Sequence, residues 1–333
     1  MLVYCLPKRL CTTFLPPRPN RYFARTMATI VHDSVPHEDR TAAQPRQNRI
    51  EPVKITHIRD INSSTRVLRL SPQDPNHTIN FLPGQWLDTF IPTLPKAGGF
   101  TITSPPSAAR PTSHGPGYLE LAVQKSPNPP AQHFHLPSAQ LLNSPLTVRV
   151  GGSFTWPPPA LPIRAQDVSR LVLVAGGVGI NPLISIFSHL MGLHASQRPE
   201  EIHFLYGTKA SPEGEDSEVD AQNILFLPRL MDLVAMAEQP RDVTLSVFLS
   251  GLKGWESGQR VESGKVPGRT WVGRIGEREL VGALDGWKGE GAGGREGTVA
   301  YVCGPQRMTD WAVELLGRQE GMEAGRVLCE KWW

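Results

Sequence analysis

One short stretch constrains the fold of this chain more than any other. The apolar run Val172-Leu173-Val174-Ala175 breaks into Gly176-Gly177-Val178-Gly179-Ile180 and then Asn181-Pro182. The run reads as a strand and the glycines as a tight turn, where a backbone without Cβ atoms lets a flat, charged ligand approach. Asn181 is expected to be the N-cap of the following helix, with Pro182 at its first position, where a missing N–H costs nothing. Helix-start amides and the helix dipole then form a site for phosphate. The spacing is not G-x-G-x-x-G, and turns of this kind also occur without ligands, so the rest of the chain decides.

On either side of this stretch the hydrophobic period differs. From about Pro52 to Phe154, short segments alternate with period 2 between Pro and Gly. They predict strands at Val53–Arg59, Thr65–Leu70, Gln85–Ile91, Phe100–Ser104, Tyr118–Gln124 and Leu146–Val150. Six such strands predict a small antiparallel β-barrel. A short helix is expected within Pro129–Leu136. After Arg170, strand-like runs at Leu171–Ala175, Ile202–Tyr206, Thr244–Leu249 and Thr298–Cys303 alternate with helical stretches. Leu183, Ile184, Ile186, Phe187, Leu190 and Met191 share one helical face and read as core. Alternation of this kind predicts an α/β domain with a parallel sheet covered on both faces, its ligands beyond the carboxyl ends of the strands. The expected organisation is a two-domain chain, with the barrel at 50–160 and the α/β domain at 165–333. The glycine-rich stretches Gly251–Gly268 and Trp287–Gly297 read as disordered loops.

Several classes are excluded. No apolar run is long enough to span a bilayer. Cys5, Cys11, Cys303 and Cys329 contain no C-x-x-C pair, so no zinc, iron–sulfur or other metal site is expected, nor a disulfide framework. Met1 to His32 carries Lys8, Arg9, Arg18, Arg21 and Arg25 and no acid. That composition predicts a mitochondrial targeting segment, with a disordered linker to residue 48. The sequence around Arg21-Tyr22-Phe23-Ala24 resembles a matrix-peptidase cut. Loss of residues 1–23 removes four positive charges and takes the formal net charge from +3 to −1. The remainder gives no electrostatic case for nucleic acid.

Five motifs follow the barrel-to-sheet order. Pro83-Gly84-Gln85-Trp86 opens one strand, and Gly98-Gly99-Phe100-Thr101-Ile102-Thr103-Ser104 forms the next. The glycine turn 176–182 opens the second domain. Tyr301-Val302-Cys303-Gly304-Pro305 with Met308 comes late, and Cys329-Glu330-Lys331-Trp332-Trp333 ends the chain. In this order the chain, from about residue 50 onward, resembles the ferredoxin–NADP reductase superfamily. The resemblance implies a flavin-binding barrel, with FAD, followed by a nicotinamide-nucleotide domain for NAD or NADP, and hydride transfer between the two. It implies that Gly176, Gly177, Val178, Gly179, Ile180 and Asn181 hold the dinucleotide phosphates. Cys303, Gly304 and Pro305 would border the nicotinamide, with Cys303 small enough to admit the ring. Phe100 and Thr101 would face the flavin, Thr101 offering a hydroxyl to its reactive nitrogen. Trp332 or Trp333 would stack on the ring with Glu330 assisting. The catalytic candidates are thus Thr101, Cys303 and Glu330, and the electron acceptor is a separate protein or small molecule.

Two departures stand out. The superfamily's flavin strand reads Arg-x-Tyr-Ser/Thr, whereas Gly98 and Phe100 take the Arg and Tyr places here. A charge-assisted phosphate contact is lost with that Arg. The second phosphate segment reads Pro127-Asn128-Pro129-Pro130-Ala131, whose prolines offer no N–H. Lys125 and His133 are the nearby alternatives. Flavin-less nucleotide binding, as a redox sensor or assembly protein, is therefore the alternative function. At Tyr206-Gly207-Thr208-Lys209, Lys209 is the one candidate partner for a 2′-phosphate.

Overall fold

The computed structural model describes residues 36–159, 164–210, 219–237, 242–287, 289, 291–323 and 325–332. Alternating apolar residues build the first half. Strands β1 (Glu51–Asn62), β2 (Thr65–Pro72), β3 (Trp86–Phe90), β4 (Gly98–Thr101), β5 (Leu119–Gln124) and β6 (Pro145–Gly151) pair antiparallel in the order β4-β3-β6-β1-β2-β5. An antiparallel bridge from Ile102 to Leu121 and a Thr103 N–H bond to the Glu120 carbonyl join the two edges, which closes the barrel. Val53, Ile55, Leu68, Leu70, Leu87 and Val148 fill its interior. Outside it lie α1 (His37–Arg40), α2 (Pro129–His133) and α3 (Ser138–Leu141).

Apolar runs without alternation build the second half, as burial on both faces requires. Strands β7 (Arg170–Gly176), β8 (Glu201–Lys209), β9 (Val243–Ser250), β10 (Thr270–Val272), β11 (Thr298–Cys303) and β12 (Val327–Glu330) form a parallel sheet in the order β10-β9-β8-β7-β11-β12. Helices α4 (Ile180–Met191) and α5 (Leu227–Ala235) cover one face, and α6 (Glu277–Asp285) and α7 (Gln306–Gly317) the other. The chain runs outward from β7 to β10 and then returns to β11 beside β7. The order reverses there, so the crevice between β7 and β11 is where such a sheet takes its ligand.

The described residues form one unit. Barrel and sheet are joined by buried side-chain bonds. Asn181 Nδ2 donates to the Ala122 carbonyl at 2.9 Å, Ser185 to the Ser104 carbonyl at 2.8 Å, and Tyr301 to the Thr155 carbonyl at 2.7 Å. Arg229 of α5 grips Glu120 of β5 through both carboxylate oxygens, at 2.7 and 2.9 Å.

Three expectations need correction. The linker expected as disordered to residue 48 is in part ordered: α1 buries His37, and Arg46 bridges to Gly151. Among the described residues the two glycine-rich stretches also have fixed structure. Val261 and Val266 are buried beneath the first, and the buried Arg295 of the second pairs with Asp285. Composition read these as loops; a few anchoring side chains hold them. Asn181, finally, is not an N-cap. A tight turn over Gly177–Gly179 starts the helix at Ile180, so Asn181 and Pro182 are its second and third residues, and Asn181 spends its amide on the barrel. No helix among the described residues is long and apolar enough to cross a membrane.

Candidate functional site

The glycines of the turn serve two purposes. A Cβ on Gly176 would lie 2.6 Å from Met308 Sδ and 2.7 Å from Pro305 Cδ, and one on Gly179 would strike the Cys303 carbonyl. Gly304 faces Met308 and the backbone of Gly176. These three are small so that β7, β11 and α7 can close on one another. Gly177 differs. Its φ of +52° lies in the left-handed region, and a Cβ there would meet nothing within 4 Å. This residue needs glycine for its conformation and leaves clear space in front. Val178 beside it is half-buried, while Ile180 is fully buried, so Ile180 offers a ligand only its backbone. The turn thus presents amides at the start of a 12-residue helix, where the first four have no partner within the helix.

Cys303 ends β11, in register with Ala175 of β7 and Glu330 of β12. It is fully buried, and burial pushes its thiol well above the ordinary range, with Glu330 and Cys329 adding to the effect. A neutral thiol is no nucleophile, which leaves the small size of the side chain as what Cys303 offers a ligand. Gly304 follows half-buried, and Pro305 stands exposed as the cap of α7. Lys209 is exposed at the end of β8.

Glu330 is half-buried at the end of β12. Desolvation pushes its carboxyl up to about 8, against the opposing influence of the Trp332 indole N–H, 3.1 Å from Oε2, and of Arg40. At neutral pH it is therefore mostly a protonated acid, able to donate a hydrogen bond. With Arg40, Trp86, Phe154, Lys331 and Trp332 it borders a cavity of about 470 Å³. Trp333 lies outside the described residues.

On the barrel side, Thr101 is buried and pairs in register with Trp86. Phe100 packs edge-on against Phe134 of the α2 segment, ring centroids 5.1 Å apart. A Cβ on Gly98 would come within 2.5 Å of Pro130 and 2.6 Å of Phe100. The strand face that would meet a flavin phosphate is thus filled by the chain itself. The other face is covered too: a Cβ on Gly99 would run into the His37 ring. That ring lies 18° from parallel to the Trp332 indole at 6.1 Å and meets Trp86 edge-on at 4.7 Å. His37 Nε2 bonds the buried Asp88 at 3.0 Å, and Arg46 and Arg149 bind the same carboxylate. Burial alone would raise Asp88, but these three hydrogen bonds outweigh it and hold it down at about 2. As its residues stand, the site does not fit a flavin: Pro130 and Phe100 fill the place of the phosphate-binding arginine, and the His37 ring lies over one side of the Trp332 indole. Of the two alternatives, Lys125 is exposed and His133 half-buried.

Sequence reasoning thus brought the turn, Cys303, Glu330 and Trp332 to one end of the sheet. It missed His37, Arg40 and Asp88, which no periodicity marks. The tandem Gly98-Gly99 was the one available signal, since two bare positions on a barrel strand mean that something else covers it.

No family model matches the chain. Oxidoreductase NAD-binding domain-containing protein 1 of Xenopus laevis is 33% identical over 303 residues, covering 89% of this chain and 84% of that protein. Its counterpart in Danio rerio is 32% identical, covering 89% and 97%. Among solved structures, flavohemoglobin from Malassezia yamatoensis with bound FAD and heme superposes with a TM-score of 0.59 at 14% identity, over 88% of this chain and 62% of that one. The cytochrome b5 reductase domain of Ulva prolifera nitrate reductase gives 0.57 at 17% identity, over 85% and 97%. The structural matches confirm the two-part architecture, an antiparallel barrel followed by a parallel sheet. From its curated relatives, the chain belongs to the family of oxidoreductase NAD-binding domain-containing protein 1.

Proposed function

We propose that this protein is an NAD(P)H-dependent oxidoreductase that binds its dinucleotide across the carboxyl ends of β7 and β11. The observation that carries the reading is Gly177, left-handed and open in front, at the point where the strand order reverses. The backbone amides of residues 177–179 would take the pyrophosphate. Gly304 and the small, neutral Cys303 border the place for the nicotinamide. The protonated Glu330 carboxyl and the Trp332 indole stand at the neighbouring strand end. The chain's part in hydride transfer is to orient the ring and exclude water. Electrons leave to a separate acceptor, a protein or a small molecule.

NAD is favoured over NADP by the names of the relatives. FAD enters from the fold and from the flavohemoglobin, against the packing at Gly98 and Gly99. The packed face at Gly98 specifically favours a second reading, a flavin-less NAD(P)-binding sensor or assembly protein. A mitochondrial location is proposed from the basic composition of Met1 to His32, which lies outside the described residues, and sequencing the N-terminus of the mature protein tests it.

Purified protein titrated with NADH and NADPH provides the functional test. Saturable binding together with NADH-driven reduction of an artificial acceptor supports the oxidoreductase. Binding without turnover supports the sensor. Absence of binding to either coenzyme at saturating concentration overturns both.

A further inference from the structure

We propose that the segment Pro36–Arg46 is a plug seated in cis. On this assignment His37 occupies the face of Trp332 on which a planar redox ring would stack, and a flavin gains that face only when the segment leaves. The inference rests on Trp332 as the ring-stacking residue, not on the dinucleotide site at Gly177.

Four observations converge. The His37 ring is nearly parallel to the Trp332 indole and touches Trp86, the register partner of Thr101, so it stands between the two residues that would enclose a ring. Gly99 has no side chain, and any Cβ there would collide with this imidazole, so strand and plug fit one another. Arg40 fastens the far side, its Nη1 donating to the Trp332 carbonyl at 2.7 Å and its guanidinium 5.7 Å from the indole centroid. The seat is nonetheless imperfect. His37 Nδ1 and Arg40 Nε are both buried without a hydrogen-bond partner among the described residues. Buried polar atoms left unpaired penalise the seated state, as suits a segment that another ligand can displace.

The same geometry defines the ligand. Pro130 and Phe100 occupy the space beside Gly98, and Pro129 and Pro130 lack N–H groups, so phosphates find no partner there. Recognition would rest on the isoalloxazine ring alone. Riboflavin, FMN and FAD should then bind with similar affinity.

The test titrates riboflavin, FMN and FAD into the full chain, reading quenching of flavin fluorescence. The double variant His37→Ala/Arg40→Ala removes both holds on Trp332 while Asp88 keeps Arg46 and Arg149. A seated plug reduces apparent affinity by the fraction of molecules in which it is closed. The double variant should therefore bind all three flavins about tenfold more tightly or better, and His37→Phe, which keeps the stack, should behave as the parent does. If the double variant fails to fold, Arg40→Ala alone should shift affinity in the same direction. Equal affinity in parent and variant, or no flavin bound by either, overturns the plug. A strong preference for FAD over riboflavin overturns the blocked phosphate place. NADH titrations of the same proteins report separately on the Gly177 site, so failure of one reading is distinguishable from failure of the other.

Discussion

Replacing Arg229 by Ala should destabilise the protein far more than loss of a surface ion pair would. Glu120 sits on β5 with its side chain 3% exposed, and Arg229 holds both of its oxygens. Removing one partner of a buried pair leaves a desolvated charge and costs about 3–5 kcal/mol. Three features lower that here. Arg229 is 29% exposed, so water already screens it; the Thr103 hydroxyl stays 2.9 Å from Oε1; and Arg69 Nε stays 3.8 Å from Oε2. The expected loss is therefore about 2–3 kcal/mol, read by urea unfolding. A double-mutant cycle with Glu120→Gln adds the sharper criterion. The double variant removes the buried carboxylate, leaves Arg69 its contact with the Tyr118 ring, and should be more stable than Arg229→Ala alone. A loss below about 0.5 kcal/mol for Arg229→Ala, the range of exposed pairs, would refute the claim that this bond ties the barrel to the sheet.

Further predictions concern the groups around the site. Glu330 is raised from 4.5 to about 8, so between those values the folded protein holds a proton that the unfolded chain has released. Stability should fall as pH rises through this window, by at most about 5 kcal/mol at ~1.4 kcal/mol per pH unit. Glu330→Gln should flatten the melting-temperature profile from pH 5 to 8, and parallel profiles would contradict the assignment. Asp88, held down at about 2, contributes stability that is present above its unfolded value of 3.8 and lost as pH falls through about 2. Asp88→Asn, which leaves Arg46, Arg149 and His37 around a neutral group, should lower unfolding stability by about 3 kcal/mol at pH 7. Asn181→Ala removes the bond to Ala122 and its own unpartnered Oδ1 together, so it should cost only about 1 kcal/mol in unfolding stability.

Much of this architecture could be read from residues because local patterns carry it. Alternation marked the six barrel strands, and unbroken apolar runs marked β7, β8, β9 and β11, since burial on one or two faces writes different periods. Three residues of β10 within a glycine-rich stretch are too few for a period. The four residues of β12, which ends at Glu330, are likewise too few for a period. Asn181 was misplaced because a cap and an early helical residue look alike until the turn before them is seen. The plug and the Arg229–Glu120 bond join residues far apart in sequence, and nothing local records such pairings. The tandem glycines at 98 and 99 showed that an arginine was missing but not that Pro130 and His37 had taken its surroundings.

The central claim is tested most directly by NADH affinity in Gly177→Glu, with Gly177→Ala as control. At φ +52° with open space in front, alanine should fold and weaken binding only modestly, through about 1 kcal/mol of backbone strain. Glutamate sets a carboxylate where the pyrophosphate belongs; two charges about 4 Å apart near a surface repel by roughly 4 kcal/mol, or about a thousandfold in affinity. Loss of NADH binding in the glutamate variant, with the alanine variant close to the parent, is the predicted result. Unchanged NADH affinity in a folded Gly177→Glu protein would contradict the account.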